Sequence, residues 1–331
     1  MSKKIIQVTT HPFGACGEKP RRVLEQQGWE VRYNPYERRL KAHEVPDLVR
    51  DAYGLVAGTE QYTQEIIESA RNLKVISRVG VGLDNINFEI CRERGIVVTF
   101  TPEAPADGVA ELTVAQILNL LRKTHDSDKS VREGAWNRYL GFLVSEVKIG
   151  VLGVGRIGKR VVKLLQSFRP NLYGCDLEPD IEFGKKYNLR WVTKEELFQT
   201  CNLVTIHIPL NRNNYHLVSY PELQSMPRGS YLVNLARGKI ADEKPLVEAL
   251  TWKHLSGAAI DVFEEEPYEG PLTRFDNVIL TAHMGASAHQ SRFLMELGAA
   301  EDCVRVLSGK VPANPVTDEV LVYTSEMSIQ K

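Results

Sequence analysis

Several things are scarce in this chain of 331 residues, and each shortage narrows what it can be. No apolar run comes near the roughly 18–20 residues that a membrane-spanning helix needs. The N-terminal "MSKKIIQVTTHPFGACG" carries two lysines and only a short apolar stretch, so it does not read as a secretory signal. An excess of either charge is missing too: 41 Lys+Arg stand against 42 Asp+Glu, a formal net charge of -1. That balance argues against a nucleic-acid binder, whose surface carries a basic excess or stripe. Cysteine is sparse and scattered. Cys16, Cys91, Cys175, Cys201 and Cys303 are odd in number and form no Cys-x-x-Cys pair. They imply no disulfide framework and no metal site, and they read as reduced packing thiols of a cytoplasmic protein. Internal repeats and low-complexity segments are absent.

What is there is the composition of an ordinary globular protein, 43% hydrophobic and 25% charged, with length enough for two domains. Short β-rich runs alternate with helical patterns, which predicts parallel α/β architecture. In the first hundred residues the expected strands are Lys4–Thr9, Trp29–Tyr33, Gly54–Ala57, Val75–Ser77 and Val97–Phe100, with helices near Pro20–Gln27 and Thr63–Asn72. "TPEAP" at 101–105 interrupts the pattern and its prolines suit an interdomain crossing. The following helix, Ala106–Arg122, is apolar around most of its circumference and must be buried on several sides, by a domain core or by an interdomain or subunit contact. A second α/β set starts at Val147, with strands expected near Lys148–Gly153, Leu172–Asp176, Asn202–His207, Ser230–Leu235, Gly257–Val262 and Val278–Thr281. Beyond about residue 288 one more helix and a polar tail, Val316–Lys331, are expected.

"VKIGVLGVGRIGKRVVKLL" places Gly153, Gly155 and Gly158 between a strand and a helix. The first permits a tight turn, the second lets the backbone approach a pyrophosphate, and the third allows close helix–strand packing, with the helix N-terminus facing the phosphates. Alone this motif is weak. About 20 residues further on, however, a strand ends in Asp176, where an acid accepts the ribose hydroxyls of NAD and repels the 2′-phosphate of NADP. Read blandly, Asp176 is a strand-end turn former.

Three further strands end in groups suited to chemistry: "SYLVNLARG" delivers Arg237, "GAAIDVFEEEP" a glutamate triplet, and "NVILTAHMG" His283. Singly these could be a surface cation, a solvated charge run and a satisfied loop histidine. Together, at the ends of neighbouring strands beside a dinucleotide loop, they make a proton shuttle, a carboxylate to orient it and a fork for a substrate carboxylate. That set, with a nicotinamide, moves a hydride to or from C2 of a 2-hydroxy acid.

At this point the chain resembles the D-isomer-specific 2-hydroxyacid dehydrogenases, most closely their D-3-phosphoglycerate-dehydrogenase-like members. The resemblance runs from about residue 50 to 310, through "ISRVGVGLDNI", "VAELTVAQILNLLR", "GVLGVGRIGKRV", "HIPL", "LVNLARGKIADEKPLVEAL" and "GAAIDVFEEEP" with "NVILTAHMGA". It implies two Rossmann-like or flavodoxin-like parallel-sheet domains: a discontinuous substrate-binding domain (1–101 and 288–331) and an NAD-binding domain (102–287). It makes Arg237, Glu266 and His283 catalytic, with Glu264 and Glu265 as bystanders. Arg156 and Ile157 fall to the pyrophosphate, Asp176 to the ribose, His207 and Pro209 to the adenosine side, and Ala236, Asp261 and Gly285 to the nicotinamide. The backbone of Val79, Gly80, Val81 and Gly82 is assigned the substrate carboxylate.

The sequence also departs from the family pattern. Phe100, Glu103 and Pro105 replace the usual entry to the interdomain helix, Ala282 stands for a proline before the histidine, and "GFLVSEVKIG" is short. In "AGTEQYT" Gly58 stands near the position of an arginine that grips the phosphate of 3-phosphoglycerate, with Glu60 close by; Arg78 and Arg138 remain as candidate phosphate ligands. A phosphorylated substrate therefore stays open. No serine feedback through a C-terminal regulatory domain is expected. The resemblance further implies a homodimer with the active site in the cleft between domains, acting on a small 2-hydroxy or 2-oxo acid without nucleic-acid or membrane partners. The alternative is a non-enzymatic, NAD-sensing binding protein of corepressor type on the same fold.

Overall fold

The computed structural model describes residues 4–318, 320 and 321. They form two compact units, one holding the described residues of Met1–Pro105 and Ser287–Val322, the other Ala106–Ala286. Each is built on a parallel sheet.

The first unit orders β1 (Ile5–Val8), β2 (Glu30–Arg32), β3 (Gly54–Ala57), β4 (Val75–Arg78) and β5 (Val97–Thr99) as β2-β1-β3-β4-β5. Strands β3 and β4 are buried at every position, as befits a parallel sheet covered on both faces. The short helices α1 (Lys19–Glu25), α2 (Val45–Val49), α3 (Gln64–Ser69) and α4 (Phe88–Glu93) connect them. Thr63 accepts from Ile66 N and is the cap of α3 rather than its first turn. The chain reverses direction along the sheet between β1 and β3, the switch point where open α/β sheets bind ligands.

The second unit has α5 (Ala106–Arg122), α6 (Thr124–Arg132), β6 (Lys148–Leu152), α7 (Arg156–Leu165), β7 (Asn171–Cys175), α8 (Ile181–Lys186), β8 (Leu189–Trp191), α9 (Lys194–Thr200), β9 (Leu203–Ile206), α10 (Tyr220–Ser225), β10 (Ser230–Asn234), α11 (Glu243–Thr251), β11 (Leu255–Ile260) and β12 (Val278–Leu280). Its seven strands run β12-β11-β10-β9-β6-β7-β8, with the switch between β6 and β9. This is the dinucleotide-binding order extended by one strand. Helix α5 packs Ile117, Leu120 and Leu121 into the core of its own unit, against Ile149, Val151 and Val233. The opposite sheet face is filled by Leu197, Phe198, Leu232 and Ile260.

Several observed strands stop one or two residues short of their expected ends, so that Asp176, His207 and Leu235 fall just outside the ladder. Strand β8 and helix α6 are among the elements the sequence does not announce. Strand β8 has only three residues with Arg190 in the middle, too few to show a period. Helix α6, "THDSDKSVR", buries only Ser130 and so has no apolar stripe to announce it. Of the expected polar tail, Val316 N donates to Val98 O at 2.8 Å and Asp318 pairs with Arg92, while 319 and 322–331 lie outside the described residues. All five cysteines are free, and burial pushes the thiols of Cys91, Cys175, Cys201 and Cys303 up to about 12. Among the described residues no helix is long and apolar enough to cross a membrane.

The chain returns to the first unit as α12 (His289–Leu307). Its fully buried Glu296 accepts from Gly14 N at 2.7 Å and from Arg292 Nε at 2.6 Å, and Arg292 also donates to Thr10 Oγ1 at 2.9 Å and to Pro12 O. This network holds the loop after β1 against α12. Glu296→Ala should leave a guanidinium and an amide without their shared acceptor and lower stability by about 2–3 kcal/mol. Chemical denaturation measures the loss; a change within about 0.5 kcal/mol would contradict the assignment.

Candidate active site

Three observations mark the glycine loop after β6 as a ligand cradle. Gly153 has φ +89, and a Cβ there would come within 2.7 Å of His207 O. Beyond Gly155 the space is open, with no atom within 4 Å of where its Cβ would stand. Helix α7 then begins at Arg156 and Ile157 with no side-chain cap, so its first amides and the positive end of its dipole face the loop. Asp176, just beyond β7, accepts from Val154 N at 2.6 Å through Oδ2 and from Glu178 N at 3.1 Å through Oδ1. It is thus both a turn former and a carboxylate held against the glycine loop.

His207 follows β9 across the switch point. Its Nε2 is 2.9 Å from Thr205 Oγ1, and its buried Nδ1 has no hydrogen-bond partner among the described residues. Burial pushes this imidazole down to about 3, so it is neutral in any physiological buffer. Asn214 donates to the carbonyl of Pro209 and fixes the next turn. A buried polar atom without a partner, an open glycine cradle, a bare helix N-terminus and a strand-end acid together fit a dinucleotide. Arg156, Ile157, Asp176 and His207 would hold it.

The chemistry-bearing turns lie further along the same sheet edge. Asn234, buried at the end of β10, accepts from Ala236 N at 3.0 Å and donates to Arg237 O at 2.9 Å, and Arg237 Nη1 donates to Ala236 O at 2.7 Å. Gly238 comes next because a Cβ there would overlap the Phe263 carbonyl, so the turn after β10 lies directly on the turn after β11. Asp261 opens the latter turn. Its Oδ1 accepts from Thr281 Oγ1 at 2.6 Å and Met284 N at 2.9 Å, its Oδ2 from Gly285 N at 2.8 Å, and its carbonyl from His283 N at 2.8 Å. In this structure, then, Asp261 is the anchor of the loop after β12. That anchoring holds His283 at φ 51, a conformation uncommon for a residue with a Cβ.

His283 Nδ1 stands 3.0 Å from Glu266 Oε2 and 3.1 Å from Oε1, and Glu266 Oε1 also accepts from Phe263 N at 3.2 Å. The Glu266 side chain is 17% exposed and the imidazole 36%. With Nδ1 facing the carboxylate, the other ring nitrogen is left for a reacting oxygen. Of the other two glutamates, Glu265 is exposed, whereas Glu264 has partners of its own: its Oε1 accepts from Glu243 N at 3.2 Å and is 3.0 Å from His216 Nε2. Asn234 and His216 were missed. Asn234 had a signal, an asparagine two residues before the "ARG" turn, where a short amide bonds its own backbone; His216 had none.

The candidate substrate loop belongs to the first unit. Val79 N donates to Ala57 O at 2.9 Å and Gly80 N to Thr101 Oγ1 at 2.9 Å. These two amides are therefore committed inside the protein, which narrows the expected carboxylate cradle to Val81 and Gly82. Arg78 is buried and donates to Val79 O, bracing the loop from beneath. Arg138 is exposed on the irregular stretch after α6. Beside the switch point of this unit Glu60 is buried, with Oε2 3.3 Å from Thr9 Oγ1 and 3.2 Å from the Tyr62 hydroxyl, and a Cβ on Gly58 would come within 2.7 Å of it. Burial, helped by the Glu60 charge, pushes the Tyr62 phenol well up, so it stays a neutral donor.

Residues 114–285 match the family model described as "D-isomer specific 2-hydroxyacid dehydrogenase, NAD binding domain". The chain is similar to a glyoxylate reductase of Thermofilum pendens, 39% identical over 273 residues and covering 80% of each chain. It is also similar to a D-3-phosphoglycerate dehydrogenase of Methanocaldococcus jannaschii, 37% identical over 283 residues that span 84% of this chain and 54% of that one. A solved structure of a Thermus thermophilus protein superposes with TM-score 0.85 at 32% identity, covering 95% of this chain and 100% of that chain. None of these supports a non-enzymatic binding protein. With its NAD-binding sheet and its paired imidazole and carboxylate, the chain belongs to the D-isomer specific 2-hydroxyacid dehydrogenase family and is an NAD-dependent oxidoreductase.

Proposed function

We propose that this protein reduces a small, unphosphorylated 2-oxoacid of the glyoxylate class, with Arg237, Glu266 and His283 as its catalytic residues. The contact between His283 Nδ1 and Glu266, 3.0 Å, carries the reading. Bound NADH supplies the hydride to C2. His283 donates a ring proton to the carbonyl oxygen, and Glu266, facing Nδ1 on the opposite side of the ring, fixes the tautomer and the direction of the imidazole. Arg237 holds the substrate carboxylate with a planar fork and polarises the carbonyl. Ala236, Asp261 and Gly285 shape the nicotinamide side.

Glu60 supports the small substrate. A phosphate near Gly58 would meet a buried carboxylate where a cation is needed, and that repulsion is strong in a region of low dielectric. The glyoxylate reductase among the relatives agrees with this reading. Cytoplasmic residence is supported by five free cysteines. A homodimer is supported by the irregular stretch after α6, which leaves Trp136 78%, Leu140 93% and Leu143 59% exposed, large apolar side chains that a subunit contact would cover.

In a panel of 2-oxoacids with NADH, glyoxylate should be turned over faster than 3-phosphohydroxypyruvate, and Arg237→Lys should lower kcat/KM by about 10²-fold, or about 3 kcal/mol, because a point charge cannot replace the fork. Near-normal kinetics for Arg237→Lys would exclude the bidentate role. NADH should be strongly preferred to NADPH, whose 2′-phosphate would face Asp176 with Leu177 beside it in place of an arginine, and Asp176→Ala should narrow the preference. Equal use of both cofactors by the unmodified protein contradicts this. Finally, Leu140→Asp should shift the sedimentation mass from dimer to monomer; an unchanged mass removes this stretch from the interface.

A further inference from the structure

The turn Phe263–Pro267 sends Glu266 toward His283 and Glu264 elsewhere. Glu264 Oε1 meets His216 Nε2 at 3.0 Å and Glu243 N, the first residue of α11, at 3.2 Å. His216 is itself tightly held. It has φ 52, its N donates to Lys239 O at 2.8 Å, its ring stacks on Tyr215 with centroids 4.0 Å apart, and its Nδ1 lies 3.5 Å from Asp242 Oδ2. Asp242 caps α11 by accepting from Lys244 N at 3.2 Å, and it also accepts from Ser219 Oγ at 3.2 Å. One imidazole thus ties together the chain before α10, the start of α11 and the turn after β11. His216, Asp242 and Glu264 have the residue types and spacing of a metal site. The two carboxylates, however, already accept from Glu243 N, Lys244 N and Ser219 Oγ, which makes the cluster a latch.

We infer that His216 and Glu264 are positioning residues for Glu266, setting the geometry of its pair with His283. The inference rests on the reading of Glu266 as the partner of His283. The bond from Phe263 N fixes the Glu266 carboxylate relative to its own turn, and does nothing to fix that turn relative to β10 and β12. Stacking of Phe263 on Tyr268, centroids 4.1 Å apart, and the Gly238 contact beneath it supply packing without direction. Asp261 ties the start of the turn to the loop after β12, and Glu264, two residues upstream of Glu266, adds directional bonds to His216 and to the start of α11. Beside the latch stand Tyr215, Lys239, Asp242, Glu243, Lys244, Glu265 and Tyr268, whose hydroxyl donates to Glu243 Oε1 at 2.8 Å. The two ring nitrogens of His216 face the carboxylates of Asp242 and Glu264.

The test uses the full chain with saturating NADH and the best substrate of the panel, assayed from pH 5 to 9. Its variants are Glu264→Ala, His216→Ala, His216→Gln, Glu265→Gln and Glu266→Gln, with NADH affinity by fluorescence and Tm recorded for each. Glu264→Ala and His216→Ala should lower kcat roughly 10-fold, since small misplacement of a catalytic group is costly. They should also move the alkaline limb of the rate profile to lower pH, in the direction taken by Glu266→Gln, and leave NADH affinity unchanged. His216→Gln, which keeps a donor at similar reach, should recover most of the loss, and Glu265→Gln should behave as the unmodified protein. The double variant should be no worse than either single one. If Glu264→Ala lowers Tm but leaves kcat and the limb in place, the latch is structural only and the inference is overturned. If Glu266→Gln itself leaves the limb in place, the assignment of Glu266 fails and the inference falls with it.

Discussion

Asp261 leaves β11 as a buried carboxylate and accepts from one hydroxyl and two amides of the chain that follows β12. Burying a charge is expensive, and it is tolerated here because short hydrogen bonds from Thr281, Met284 and Gly285 match its acceptor sites. The consequence reaches the chemistry directly. His283 sits between those donors at a positive φ that a flexible loop would abandon. Without Asp261 the imidazole would have no fixed direction, and the contact with Glu266 would be one rotamer among several. The sheet edge is thus a set of loops tied to one another, and only secondarily to the strands beneath.

The same edge separates two electrostatic tasks. On the side of β6 and β9 an uncharged His207, bare amides at the start of α7 and glycines that leave room stand beside one cation, Arg156, and one acid, Asp176. These suit the pyrophosphate and adenosine of a dinucleotide, which bring their own charge. On the side of β10 to β12 the groups are a guanidinium, a carboxylate and an imidazole, which suit a reaction that moves a proton beside a substrate carboxylate. Asn234 and Gly238 order this second side, one by bonding the Ala236–Arg237 turn and the other by letting the turns after β10 and β11 touch.

Much of this was legible in the sequence, and for stated reasons. The parallel strands announced themselves as short apolar runs, and the boundaries of α5, Ala106–Arg122, followed from a helix apolar nearly all round after a proline-bounded stretch. Gly153, Asp176, Arg237, Glu266 and His283 each stand at or just past a strand end, where the pattern changes from apolar to polar. What escaped was set by partners distant in the chain. No local feature shows that Val79 and Gly80 spend their amides on Ala57 and Thr101, or that Glu264 reaches His216. Strand β8 and helix α6 escaped for the opposite reason: each is local, but too short or too polar to carry a period.

The glutamate triplet shows how far a residue type alone can mislead. Three identical side chains in sequence receive three fates from geometry. The bend of residues 264–267 turns Glu264 and Glu266 against the protein and leaves Glu265 exposed. The first two find donors and become half-buried; the middle one finds water. Glu264 and Glu266 then diverge because each meets a different histidine, His216 from the chain before α10 and His283 from the loop after β12. A charge run that composition reads as solvated surface is, on this sheet edge, two half-buried attachments separated by an exposed spacer. One attachment faces the reacting centre and the other holds the first in place.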